Sequence, residues 1–107
     1  MIIQIQPWID NSELEELKKV IDSTFITENS MTAQFEKMTK ELTGAKHAIA
    51  VANGTVGLYC ALLSLKVGIG DEVIVPNLTF IATSNAVIMA GAAPVFCEVN
   101  KDSLCID

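Results

Sequence analysis

"EVIVPNLTFIATSNAVIMAGAAPVFCEV", residues 72–99, sets two short apolar runs on either side of a longer uncharged one. "EVIVP", 72–76, has the length and β-branched content of a strand covered on both faces. Residues 79–90, "TFIATSNAVIMA", carry no charged side chain and stop at Gly91, which predicts a buried helix with Thr79 as its cap. "PVFCEV", 94–99, returns to strand character. A strand, a helix and a strand in that order imply parallel pairing.

The same alternation extends upstream. "HAIAVA", 47–52, predicts another strand of the parallel type, and Thr55 to Lys66 is helix-like and apolar almost all round. The order strand, helix, strand, helix, strand gives an α/β fold class with a mostly parallel sheet. Further upstream, "SELEELKKVID", 12–22, reads as an exposed amphipathic helix. Ser12 and Glu15 form a capping-box pattern, and Leu14, Leu17 and Ile21 recur at helical spacing. Residues 24–30 are a polar connection. "MTAQFEKMTKELT", 31–43, predicts a second helix with Phe35, Met38 and Leu42 on one stripe and Gly44 as its stop. The chain thus divides into a helical segment, 1–45, and a βαβαβ part, 46–107.

Composition narrows the function. The 107 residues carry a formal net charge of −6, and all seven bases are lysines. That balance argues against a nucleic-acid surface, which needs clustered positive charge. The absence of arginine rules out a bidentate arginine clamp within this chain. Cys60, Cys97 and Cys105 match no zinc spacing and read as small hydrophobes, so no metal is expected. The first residues lack the basic and apolar regions of a signal peptide, and no run spans a bilayer, so a reducing, cytoplasmic setting is expected. Residues 1–47 hold thirteen of the twenty charged side chains, whereas residues 48–97 hold three. A small domain cannot hide fifty nearly uncharged residues. That half therefore reads as docked on something large or as part of a longer polypeptide.

Ligands of open α/β sheets bind beyond the carboxyl ends of the strands. Asn53-Gly54-Thr55 stands at the first such end. Gly54 allows close backbone approach, and the N–H groups of Thr55 and Val56 open a helix whose dipole favours an anion such as phosphate. A plain threonine cap after a glycine turn accounts for the same residues. Neither a Walker loop nor a dinucleotide fingerprint is present: no lysine follows Gly54 until Lys66, and "GIG" at 68–70 precedes a strand. At the second strand end, Phe80 is placed either to stack on a planar heterocycle or to pack into the core. His47, the only histidine, reads as structural. Trp8 is either a hydrophobic anchor or a lid.

"GAKHAIAVANGTVGLYCALLSL", "GDEVIVPNLTFIATSNAV" and "GAAPVFCEV", in this order, resemble the sugar-nucleotide aminotransferase family (the DegT/StrS group), which are fold-type-I enzymes dependent on pyridoxal 5'-phosphate (PLP). "PWIDNSELEELKKVIDS" and "FEKMTKELTGAKHA" are similar to the family's helical lead-in, so the resemblance covers essentially the whole chain. It implies the N-terminal part of a three-layer α/β/α large domain, incomplete here, preceded by two helices. Gly54, Thr55 and Val56 would then bind the PLP phosphate, and Phe80 would stack on the pyridine. Trp8 and Thr27 are implied near the substrate, with the loop Thr24 to Ser30 nearest the sugar. Gly57 stands where alanine is frequent in the family, and Asn100 replaces a usual acid.

No catalytic residue is expected in this chain, because the family's Schiff-base lysine and pyridinium aspartate lie beyond Asp107. The implied activity is transfer of an amino group, commonly from glutamate, to a 4-keto-6-deoxy sugar nucleotide. That chemistry belongs to deoxyaminosugar, surface polysaccharide and lipopolysaccharide biosynthesis. The resemblance also implies a homodimer when full length, inactivity of the 107 residues alone, and no nucleic-acid or membrane partner. Two alternatives stand beside it. One is a family member acting as a PLP-dependent sugar dehydratase, with histidine replacing the lysine. The other is a non-catalytic α/β module that binds a phosphate-bearing ligand.

Overall fold

The computed structural model describes residue 3 and residues 5–106, so Asp107 at the end of the expected large-domain part lies outside the described residues. The elements are α1 (Asn11–Asp22), α2 (Ser30–Thr43), α3 (Gly54–Ser64), β1 (Glu72–Pro76), α4 (Ala82–Met89) and β2 (Ala93–Cys97). They fall into two compact units, residues 1–50 and residues 51–107.

In the first unit, α1 begins at Asn11, one residue before the predicted 12–22, and a different pair caps it. Asp10 accepts the Ser12 N–H at 2.7 Å, and Glu13 reaches back to accept the Asp10 N–H at 2.8 Å. The box has the expected spacing, shifted two residues upstream, because a carboxylate at the cap is the stronger acceptor for the orphan amides. Hydrogen bonds from Ser12 hold the Asp10 carboxyl below its ordinary range, and the Asp10 N–H does the same for Glu13. Helix α2 has the predicted end: Gly44 takes φ +71° and donates its N–H to the Lys40 carbonyl at 2.9 Å. The apolar stripes Leu14, Leu17, Ile21 and Phe35, Met38, Leu42 are all more than half exposed.

Residues 47–52 are the main correction to the predicted elements. "HAIAVA" forms no strand. A strand exists only as a member of a ladder, and among the described residues β1 and β2 pair with each other alone. The Ala50 N–H instead donates to Glu36 Oε1 at 2.8 Å, and Ile49 stays exposed.

The second unit holds the parallel sheet. Strand β1 pairs with β2 in the register Glu72↔Ala93 through Pro76↔Cys97, and α4 makes the crossover. The core is small: Val75, Ala86, Val87 and Ala92 are buried, with Leu62, Val67 and Val73 packed against them. Full burial of each valine contributes about 1.5–3 kcal/mol. Period-two alternation puts Val73 and Val75 on this covered face and Ile74 on the other, where it is 65% exposed. The sheet is therefore covered on one face, not on both as the run "EVIVP" predicts. Helix α3 likewise has no fully buried residue, although its sequence reads as interior.

Two turns close the unit. Lys66 follows α3 at φ +63°, and the Val67 N–H returns to the Leu62 carbonyl at 3.1 Å. Past β2, Asn100 Oδ1 accepts the N–H groups of Asp102 and Ser103, and Val99 bridges Ile106. Asn100 thus performs an acceptor role that an aspartate performs equally well.

Candidate functional site

The turn into α3 is built by Asn53. Its extended backbone (φ −168°, ψ 173°) puts its side chain back over the first turn, where Oδ1 accepts the Val56 N–H at 3.0 Å. Its carbonyl accepts the Gly57 N–H at 3.1 Å, the first bond of the helix ladder. Two orphan donors remain. Among the described residues, the N–H groups of Gly54 and Thr55 and the Thr55 hydroxyl have no protein acceptor. The cap is therefore Asn53 rather than Thr55. Asparagine ranks at the top of N-cap preferences, so the letters of "NGTV" carried this signal.

A β-carbon placed on Gly54 meets nothing within 4 Å. The glycine fills no need of the chain's own packing at that point, and its missing side chain leaves open space beside the bare amides. The site keeps the positive pole of the α3 dipole without any charged side chain in its lining. The donors on offer there are all uncharged: the two backbone amides and the Thr55 hydroxyl. Of the three residues predicted to face it, Gly54 and Thr55 have free amides. The Val56 amide is already occupied by the Asn53 side chain and becomes available only if that side chain turns away.

Phe80 lies on the connection between β1 and α4, not in the helix. Thr79 was expected to cap α4, but the helix starts at Ala82 and its N-cap, Ile81, makes no side-chain hydrogen bond. The Asn77 N–H still donates to the Cys97 carbonyl at 2.9 Å, so the chain leaves the ladder one residue past β1 and is turning through 78–81. The Thr79 hydroxyl spends itself sideways on the Thr83 hydroxyl at 3.0 Å. Phe80 is 74% exposed, so it packs into no core among the described residues.

Asn53, Gly54, Thr55 and Phe80 line one cleft of about 560 Å³, together with Leu58, Ala82 and Thr83. That volume is within the ~300–1,000 Å³ of small-molecule sites. The cleft combines unpartnered N–H and O–H donors at one end with an aromatic and aliphatic wall, an arrangement that suits a planar ring carrying a phosphate. Leu58 and Thr83 escaped the sequence reading. Their signal is spacing: Leu58 is one helical turn beyond Gly54, and Thr83 is one turn beyond Thr79. Trp8 and Thr27 belong to the first unit, where both are exposed. His47 is likewise outside the cleft. Among the described residues no group of histidine, cysteine and acid side chains is arranged to hold a metal, and the three cysteines are unpaired.

Comparison with solved structures finds the same fold in known proteins. A protein of Streptococcus pneumoniae described as a sugar aminotransferase, solved in apo, PLP and PMP forms, superposes with a TM-score of 0.86 at 31% identity. The match covers 94% of this chain and 26% of that one in the PMP form. An aminotransferase from Psychrobacter cryohalolentis is 39% identical with a TM-score of 0.79, over 89% of this chain and 25% of its own. DesV of S. venezuelae, in complex with a ketimine intermediate, is 34% identical with a TM-score of 0.81, over 91% and 28%. The chain spans about a quarter of the length of these proteins, and its helices and parallel strands match the N-terminal part of the fold-type-I PLP aminotransferase fold. A family model covers residues 7–107, and by that match the chain belongs to the DegT/DnrJ/EryC1/StrS aminotransferase family.

Proposed function

We propose that residues 46–107 supply the phosphate cradle and the aromatic wall of a PLP site in a sugar aminotransferase. The observation that carries the reading is the cleft itself: the unpartnered amides of Gly54 and Thr55 and the exposed ring of Phe80 line the same space. In this reading Gly54 and Thr55 donate their N–H groups to phosphate oxygens, and the Thr55 hydroxyl adds a third donor. Each charge-assisted bond of this kind is worth about 1.5–3 kcal/mol. Val56 joins them when Asn53 releases its amide. Phe80 holds the ring from one face, contributing about 0.5–1.5 kcal/mol beyond its area. Bound PLP supplies a reactive carbonyl and an electron sink, chemistry that no side chain provides.

The amino group moves, in this proposal, from glutamate to a 4-keto-6-deoxy sugar nucleotide, in deoxyaminosugar or surface polysaccharide synthesis in the cytoplasm. Among the described residues no helix is long and apolar enough to cross a membrane, which is compatible with that setting. In this proposal the 107 residues are inactive alone, a reading supported by a cleft lining without lysine. A complete polypeptide of the relatives' length contributes the lysine, and residues 7–40, including Trp8 and Thr27, contribute to a dimer and to the sugar's entrance. The exposed stripes on α1 and α2 are consistent with such a contact.

The test is spectroscopic. The complete polypeptide carrying this segment, loaded with PLP, is expected to show a cofactor absorbance band that shifts when glutamate is added and shifts back with a keto sugar nucleotide. A protein that stays colourless in PLP overturns the proposal.

A further inference from the structure

Phe80 has a peculiar situation for a residue that must hold a ring in register. It is three-quarters exposed, so packing does not fix it, and it rides on a five-residue connection, 77–81, without regular structure. What fixes that connection lies at its two ends. At the α4 end, the Thr79 and Thr83 hydroxyls meet at 3.0 Å, and the Thr83 N–H donates to the Phe80 carbonyl at 3.1 Å. At the sheet end, Asn77 makes two bonds across to the end of β2. Its N–H donates to the Cys97 carbonyl at 2.9 Å, and its Nδ2 donates to Glu98 Oε2 at 3.1 Å. The second bond is between two side chains that do not line the cleft. A carboxylate accepts only, so the donor must be the Asn77 amide nitrogen, and the direction of the bond is fixed.

We propose that Asn77 and Glu98 are a positioning pair: their hydrogen bond anchors the base of the 77–81 connection and thereby sets the pose of Phe80 against the ring of the bound cofactor. The proposal rests on the reading of the cleft as a PLP site. Neither residue touches the ligand in this account. Both act through the backbone that presents the aromatic wall, and the interaction is exposed, so its effect on overall stability is small. Its effect falls on geometry.

The experiment uses the complete polypeptide and two readouts. The first is amide hydrogen exchange over residues 77–81 in cofactor-free protein. The second is PLP affinity, together with the circular dichroism that the protein induces in the bound cofactor. N77A is expected to speed exchange in the connection and to weaken PLP binding about fivefold, the scale of one partly exposed hydrogen bond. It should also alter the induced dichroism. In an F80A background the same change should cost nothing further in affinity, because the pair acts through that ring.

N77D sets two carboxylates against each other and should be at least as damaging. N77D combined with E98Q reverses the direction of donation and should restore both slow exchange and affinity. A double variant no better than N77D overturns the proposal, as does an N77A penalty of equal size with and without Phe80. Uptake of no PLP by the unmodified protein overturns the cleft reading and this role with it. Normal uptake in the unmodified protein, with N77A unchanged in both readouts, overturns the positioning role alone.

Discussion

Replacing Gly54 with alanine separates a glycine kept for folding from one kept for a ligand. The added methyl meets no atom of the chain within 4 Å, and Gly54 is the first residue of α3 with no left-handed φ to protect. Alanine restricts the unfolded chain and suits a helix better than glycine, so thermal or urea unfolding should show a gain of about 0.4–1 kcal/mol. Ligand binding should move the other way. The methyl projects beside the two free amides, where a phosphate must come within about 3 Å. Displacing the phosphate from one charge-assisted N–H costs about 1.5–3 kcal/mol, roughly a tenfold to hundredfold loss of PLP affinity. Fluorescence titration of the complete polypeptide with PLP, next to a melt of the same preparation, measures both effects. A variant that binds PLP as tightly as the parent refutes the assignment of Gly54 to the phosphate. A variant that loses stability as well shows that the glycine was needed by the fold.

Other outcomes follow from the same structure. F80A should leave the melting temperature nearly unchanged, because the ring is exposed, and should weaken PLP binding by about 0.5–1.5 kcal/mol, measured by the same titration. Val87, 2% exposed in the core against Val75 and Ala92, should cost about 2 kcal/mol when cut to alanine, read from denaturant midpoints. K66G should stabilise by about 0.5–1 kcal/mol, since a non-glycine residue now holds φ +63° after α3. Asp10 and Glu13 have lowered pKa values in the folded chain, so their contribution is present above the ordinary carboxylate range and is lost as pH falls below it, through the lowered folded-state values. Circular dichroism of a peptide spanning residues 7–24 should show helix lost on acidification, and D10N should flatten that dependence.

The parallel pairing of 72–76 with 93–97 was legible because β-branched runs flanking an uncharged helix leave few other arrangements. The stop at Gly44 was legible for the same local reason: glycine is the residue that takes φ +71° at little cost. Strand status at 47–52 was not legible, since it depends on a neighbouring strand that local sequence does not name. The start of α4 was missed because Thr79 has two uses for its hydroxyl, a cap or a side-chain pair with Thr83, and sequence cannot rank them. The cleft's outline, Gly54, Thr55 and Phe80, was readable from the rule that ligands gather at strand carboxyl ends. Its fine structure was not: the choice of Asn53 as cap decides which amides are free, and that is a matter of backbone geometry.

A crystal structure of the complete polypeptide grown with PLP tests the central claim most directly. The account predicts phosphate oxygens within about 3 Å of the Gly54 and Thr55 nitrogens, with the pyridine ring stacked on Phe80. A phosphate bound at another helix end, with the Gly54 and Thr55 amides facing water and Phe80 away from the ring, contradicts it.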